Sequence, residues 1–284
     1  MNIHFKNICI VGVGLMGGSF ALALKAQGFK GKITGIGRTR KNLIKAKRLG
    51  VIDFYTTEYK AAVQNADLVL LATPVGWAEP IVRKIRQHLK KGAIVTDVGS
   101  VKSRIVKKIE PLMPKGMHFV GAHPIAGREC SGIECATAEL YRNARCIITP
   151  GAHTDKKALK KVVQLWKAVG SKVVLMEPEK HDMIFAEVSH LPHVVAYALV
   201  NSIAKTENNI LHHGGKGLRD MTRIALSSPE LWRDICEHNR KNLLNSLRNF
   251  SSHVSHLTHL IQRSDWPGLE NEFSKAKEAR QILE

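Results

Sequence analysis

An α/β domain built on a mostly parallel sheet, followed by an all-helical domain, is the fold class this sequence predicts. Three observations carry it. Short apolar runs alternate with helical stretches up to about residue 176, and such alternation calls for a mostly parallel sheet covered by helices. A glycine-rich turn joins the first apolar run to a helix of small residues. Beyond residue 177 the strand signals stop and long segments of helical spacing follow. The expected domains are 1–176 and 177–284, in keeping with the length of 284 residues.

Taken in order, residues 7–12 (NICIVG) read as a buried strand and 15–28 as a helix of small and apolar residues. Residues 32–37 (KITGIG) form a second strand and 41–49 a helix. Residues 67–73 (DLVLLAT) form a third strand, followed by a helix to about 89. Residues 93–98 (AIVTDV) are a further strand, with a helix over 101–109. Strands are expected at 118–122, 145–149 and 172–175, with a helix at 156–169 between the last two. Helices are then expected over 179–205, 231–250, 254–261 and 265–283. A helical domain of this size, with apolar stripes on several long helices, often buries them against a second copy, so a homodimer is expected.

Composition narrows the function. Hydrophobic residues make up 44% and charged residues 24%, which excludes disordered, collagen-like and disulfide-rich secreted classes. The longest apolar stretch, around 66–75, is interrupted by Asp67, Thr73 and Pro74 and is too short to cross a bilayer. The N-terminus lacks a leader pattern, so a cytoplasmic location with no membrane attachment is expected. The five cysteines are an odd number without a C-x-x-C pair; neither a disulfide framework nor a zinc site is expected. Lys and Arg outnumber Asp and Glu by 43 to 24, a net charge of +19. The basic residues are dispersed, and no basic-aromatic stripe accompanies them. A positive field serving anionic small molecules therefore explains the charge better than nucleic-acid binding.

Gly12-Val13-Gly14-Leu15-Met16-Gly17 is G-x-G-x-x-G between a strand and a helix. In that context the glycines allow a tight turn, the approach of a pyrophosphate and close helix–strand packing. Free N–H groups at the helix start then bind phosphate. Thr73 and Pro74, ending the third strand, are expected beside the same dinucleotide. The second strand ends in Gly37-Arg38-Thr39-Arg40, with no acid until Asp53. A ribose 2′-OH site offers Asp or Glu there, whereas arginine and threonine suit a 2′-phosphate. The expected cofactor is NADP or NAD, with NADP preferred.

Four more segments place polar groups where an apolar core does not need them. Asp97-Val98-Gly99-Ser100-Val101-Lys102 ends a strand, at the edge where open parallel sheets bind ligands. Gly121-Ala122-His123-Pro124-Ile125-Ala126-Gly127 holds a histidine in a stiff loop. Ser189-His190-Leu191-Pro192-His193 puts Ser189 and His193 on one helix face. Arg219-Asp220-Met221-Thr222-Arg223-Ile224-Ala225 follows, where Arg223 is either a surface partner of Asp220 or a clamp on a carboxylate.

In this order and combination, the motifs resemble the prephenate/arogenate (cyclohexadienyl) dehydrogenase family of tyrosine biosynthesis, over nearly the whole chain. The resemblance implies a Rossmann-type domain followed by a helical dimerisation domain, and oxidative decarboxylation of a cyclohexadienol with hydride transfer to NAD(P). It implies that His123 is the catalytic histidine that takes the ring hydroxyl proton and that Ser100 shares that hydroxyl. It implies that Arg223 holds a substrate carboxylate and that Ser189, His193, Trp232 and Glu129 line the substrate pocket. No metal is expected. Two departures flank the site: Arg128 stands where the family often has Thr or Ser, and Cys130 where it often has Lys. Two other classes compete. A β-hydroxyacid dehydrogenase or imine reductase would need a catalytic lysine on a helix, and a non-enzymatic nucleotide-fold protein would need a binding helix.

Overall fold

A computed structural model describes residues 4–128, 130–206 and 209–283. Its strands are β1 (Asn7–Val11), β2 (Lys32–Ile36), β3 (Phe54–Thr56), β4 (Leu68–Leu71), β5 (Ile94–Asp97), β6 (His118–Pro124), β7 (Arg145–Thr149) and β8 (Lys172–Leu175). Between them run α1 (Leu15–Ala26), α2 (Arg40–Arg48), α3 (Tyr59–Val63), α4 (Ala78–Ile85), α5 (Ser103–Ile109) and α6 (Lys156–Ala168). From there every element is helical: α7 (Pro178–Phe185), α8 (Leu191–Ala204), α9 (Lys216–Thr222), α10 (Pro229–His238), α11 (Arg240–Gln262) and α12 (Trp266–Arg280).

The strands form one sheet in the order β3-β2-β1-β4-β5-β6-β7-β8. All neighbours are parallel except β6 and β7. The sheet can be parallel because its central strands are buried on both faces: β4 is apolar throughout, β1 is apolar after Asn7, and β5 is buried although it ends in Thr96 and Asp97. Two apolar layers follow. Phe20, Leu24, Ile10, Leu70 and Trp166 pack on one side of the sheet. Val11, Leu71, Val82, Ile85, Val95 and Ile109 pack on the other, and Trp232 and Ile235 of α10 join them.

β6 has two partners along its length. Residues 118–120 pair with β5, and Gly121 to Pro124 pair with β7. The strand therefore outruns β5 and carries His123 past the point where β5 has ended at Asp97.

Chain contacts divide the molecule into Met1–Asn239 and Arg240–Glu284. The second unit is the pair α11 and α12, joined at a turn where Asp265 accepts from the Gly268 N–H (2.9 Å).

Several expectations need correction. The helix expected over 231–250 is broken at Asn239. The side-chain amide of Asn239 donates to the Asp182 carbonyl (2.7 Å) and bonds His190 Nδ1 (3.1 Å), and these ties outweigh helix continuity. The helix expected at 254–261 is instead the end of α11, since no Gly or Pro separates it from the residues before. β3, α3 and α9 were not expected at all. Cys130 and Cys135 are joined by a disulfide, where the odd number of cysteines without a C-x-x-C pair pointed to no disulfide framework. Gly132, at φ +92°, folds the loop so that the two Cα atoms lie 6.1 Å apart. Within the helical run Pro178–Ala204 lies a stretch that is, by length and composition alone, long and apolar enough to span a bilayer. The same run carries His181, Asp182 and His190, whose side chains are buried in the site described below.

Candidate active site

The carboxyl ends of β1, β2 and β4 surround a cavity of about 510 Å³. It lies where the sheet order reverses direction, between β1 and β4, the position at which open α/β sheets bind ligands. Gly12 lines it at φ +94°, and a Cβ there would sit 2.5 Å from the Ala72 carbonyl oxygen. Gly14, just before α1, faces open space. α1 begins with no side-chain cap and no acid in its first turn, so its free N–H groups are open to an anion. Gly17 does not line the cavity; it lets α1 close on the strand, its Cβ position being 2.3 Å from the Gly12 carbonyl oxygen. Leu15 and Met16 also lie off the cavity, and the Met16 carbonyl accepts from the buried Tyr141 hydroxyl (2.7 Å).

Arg38, Thr39, Asn42 and Lys84 line the far end, and none of the lining residues is a carboxylate. The Arg38 guanidinium lies 5.7 Å from the centre of the Trp77 ring. Arg40 is exposed at the start of α2, outside the lining. Thr73 and Pro74 line the cavity, and the buried Thr73 hydroxyl has no hydrogen-bond partner among the described residues. An open glycine, an uncapped helix start and an orphaned hydroxyl fit a dinucleotide phosphate.

Two strands along, a buried polar cluster occupies the ends of β5 and β6. The Lys102 ammonium, fully buried, pairs with Asp97 and donates to the Ala122 carbonyl (2.9 Å). Asp97 in turn accepts from the N–H groups of Ala122 (3.0 Å) and Gly99 (2.9 Å). The Ala122 peptide is thus gripped on both sides, immediately before His123.

The His123 ring sits within hydrogen-bond distance of His181, Nδ1 to Nε2 2.8 Å, and packs edge-on against Phe185. Asp182 accepts from His181 Nδ1 (2.8 Å) and from the N–H groups of Lys102 (2.7 Å) and Ser103 (2.9 Å). Burial lowers the pKa of His123 well below the usual imidazole value; protonation of the neighbouring His181 would lower it further, and the Lys102 ammonium acts in the same direction. Burial also lowers that of His181, against the opposing pull of Asp182. Both rings are neutral at pH 7.

A second group adjoins it. Pro192 has no N–H to offer the helix, and a π turn, Ala186–His190, forms just before it. His193 Nδ1 donates to the Ser189 carbonyl (2.9 Å), and its ring stacks on Trp232 at 3.6 Å between centres. His190 lies edge-on to the same indole and is buried. Its Nε2 has no hydrogen-bond partner among the described residues, and burial depresses its pKa to about 4. Asn239 links this group to Asp182.

The structure thus joins His123 with His181, Asp182 and Lys102, and Ser189 with His193 and Trp232. Ser100 is half-buried between Gly99 and Lys102, whose backbone N–H groups are held by Asp97 and Asp182. Arg223 is not part of the buried group: it is exposed, on a 3₁₀ turn after α9. Glu129 lies outside the described residues. His123 does not line the cavity of the glycine turn. Sequence reading missed His181, Asp182 and His190 as site residues. The adjacent His181-Asp182 pair was the only local trace of the first two, since their burial comes from packing against the start of α5.

The departures Arg128 and Cys130 share the loop after Pro124, where the Arg128 guanidinium reaches the Cys135 carbonyl (3.5 Å). Among the described residues, no three His, Cys, Asp or Glu side chains are placed to hold a metal ion.

Comparison with known proteins finds two family models in succession. Residues 20–175 match "Prephenate dehydrogenase, nucleotide-binding domain" and 177–275 match "Prephenate dehydrogenase, dimerization domain". The chain is 35% identical to a prephenate dehydrogenase of Bacillus subtilis, over 100% of this chain and 77% of that one. It is 35% identical to a cyclohexadienyl dehydrogenase of Zymomonas mobilis, over 98% and 96%. A crystal structure of prephenate dehydrogenase from A. aeolicus, in complex with hydroxyphenyl propionate and NAD+, superposes with a TM-score of 0.94 at 40% identity, covering 100% of both chains. That of Synechocystis arogenate dehydrogenase gives 0.82 at 31% identity, over 98% and 100%.

Proposed function

The chain belongs to the prephenate dehydrogenase family, and from that premise we propose that it oxidatively decarboxylates prephenate, arogenate or both for tyrosine biosynthesis. The observation that carries the reading is the buried, neutral His123 at the carboxyl edge of the sheet, two strands along from the glycine crevice. In this reaction the ring carbon bearing the hydroxyl gives up a hydride, the hydroxyl gives up a proton, and the ring carboxylate leaves as carbon dioxide. A nicotinamide, when bound, supplies the hydride acceptor. His123 receives the proton, for which a neutral imidazole suits work near pH 7. Ser100 shares the hydroxyl. Arg223 holds a substrate carboxylate, and Ser189, His193 and Trp232 bound the pocket.

The uncapped start of α1 and the Gly12–Gly14 turn would hold the pyrophosphate. Arg38, Thr39 and Lys84, with no acid among the cavity's lining residues, favour a 2′-phosphate, so we assign a preference for NADP over NAD. Lys102 is occupied by Asp97 and Ala122, which counts against a reaction run from a helix lysine. A second copy of the chain is the proposed cover for exposed Met183, Val188, Met221 and Leu226, in line with the match to a dimerization domain. We keep 1–176 and 177–284 as the working division, since every element beyond β8 is helical.

The test is a four-way assay of prephenate or arogenate with NAD+ or NADP+. Turnover to 4-hydroxyphenylpyruvate or tyrosine, with the higher kcat/KM on NADP+, is expected. No turnover of either substrate would refute the reading.

A further inference from the structure

We propose that His181 and Asp182 are positioning residues that fix the tautomer of His123, so that Nε2 of His123 is the atom that takes the substrate's proton. This rests on the reading of His123 as the base and adds which atom acts and what makes it act.

The argument follows the hydrogen bonds from the fixed end. Asp182 is buried, and its carboxylate already accepts from two backbone N–H groups at the start of α5. An ionised carboxylate can only accept, so His181 Nδ1 must carry the hydrogen in their 2.8 Å contact. A neutral imidazole has one N–H. His181 Nε2 is then bare and can only accept. The 2.8 Å contact with His123 Nδ1 requires that His123 be the donor. His123 Nδ1 is therefore protonated and its Nε2 carries the free lone pair.

Charge development fits the same geometry. As the substrate O–H bond breaks, its proton forms a bond to Nε2 and His123 becomes an imidazolium. The Nδ1–H bond stays intact and strengthens against His181 Nε2, with the Asp182 charge behind it. Nothing else is consumed. Without His181 the opposite tautomer, which has no lone pair on Nε2, becomes accessible.

The test uses the full chain labelled with ¹⁵N in histidine, with His123 assigned by the resonances lost in His123→Asn. The wild type should show a protonated Nδ1 and a bare Nε2 on His123. His181→Leu removes the acceptor while leaving Asp182 bonded to the Lys102 and Ser103 amides. It should scramble the His123 tautomer and lower kcat by about 10–10²-fold, by analogy with the loss of outer partners of metal-bound histidines, with KM little changed. His181→Gln offers an amide oxygen in place of Nε2 and should restore both the Nδ1–H signal and most of kcat. A protonated Nε2 on wild-type His123 overturns the proposal, as does unchanged kcat in His181→Leu or no rescue in a folded His181→Gln. A wild type inactive on every substrate but with the expected tautomer would instead overturn the catalytic reading alone.

Discussion

Lys102→Met isolates the buried charge pair beneath the candidate site. The substitution keeps most of the side chain's shape and deletes its ammonium. It leaves the Asp97 carboxylate, 2% exposed, with two N–H donors but no counter-charge, and strips the Ala122 carbonyl of its donor. Breaking a buried pair from one side costs about 3–5 kcal/mol. Unfolding entropy of about 2.1 cal/mol/K per residue, over the unit Met1–Asn239, is about 0.5 kcal/mol/K. Tm should therefore fall by about 6–10 °C. The companion variant Asp97→Asn/Lys102→Met removes both charges and should regain much of the loss, because no unpaired ion remains. Thermal and urea melts followed by circular dichroism measure both. A loss below about 1 kcal/mol in the single variant, or a double variant no more stable than the single, would refute the argument. The surviving folded Lys102→Met should also be slow, since the freed Ala122 peptide no longer sets the position of His123.

Acid should destabilise the protein between pH 6.5 and 4. His190 is held near pKa 4 in the fold against about 6.5 in the unfolded chain. Above pH 6.5 both states are neutral; below it only the unfolded chain takes up the proton, for a loss of about 3 kcal/mol by pH 4. His123 and His181 act in the same direction, and urea midpoints that do not move over this range would contradict it. Arg38→Asp should reverse the cofactor preference, raising KM for NADP+ by tenfold or more through loss of a charge-assisted partner (about 1.5–3 kcal/mol); equal KM values before and after would count against it. Arg223→Ala should raise substrate KM with little change in cofactor affinity, and unchanged substrate affinity would remove Arg223 from the carboxylate role.

The parts of the fold legible in the sequence are those in which local chemistry and tertiary demand coincide. Gly12 and Gly17 are required where the backbone turns to positive φ and where α1 touches the strand, so the turn shows as a motif. Fully buried strands such as β4 show as apolar runs. β3 does not: three residues are too few to display a period, and its order comes from pairing with β2. The break at Asn239 was hidden for a related reason, because its cause is a pair of partners 49 and 57 residues away. In the site, His123 was visible from its glycine-flanked setting. His181 and Asp182 read as polar positions on a helix, and only packing against the start of α5 makes them buried. The Cys130–Cys135 disulfide depended on a loop shape set by Gly132.

The central claim is that the His123 imidazole takes the proton from the substrate's ring hydroxyl. Steady-state kinetics of His123→Asn with prephenate or arogenate and saturating cofactor test it most directly. The account predicts a kcat reduced by about 10²–10⁴-fold, the range for a general base, with KM and cofactor affinity close to those of the unaltered chain. A kcat within a few-fold of the unaltered chain would contradict it.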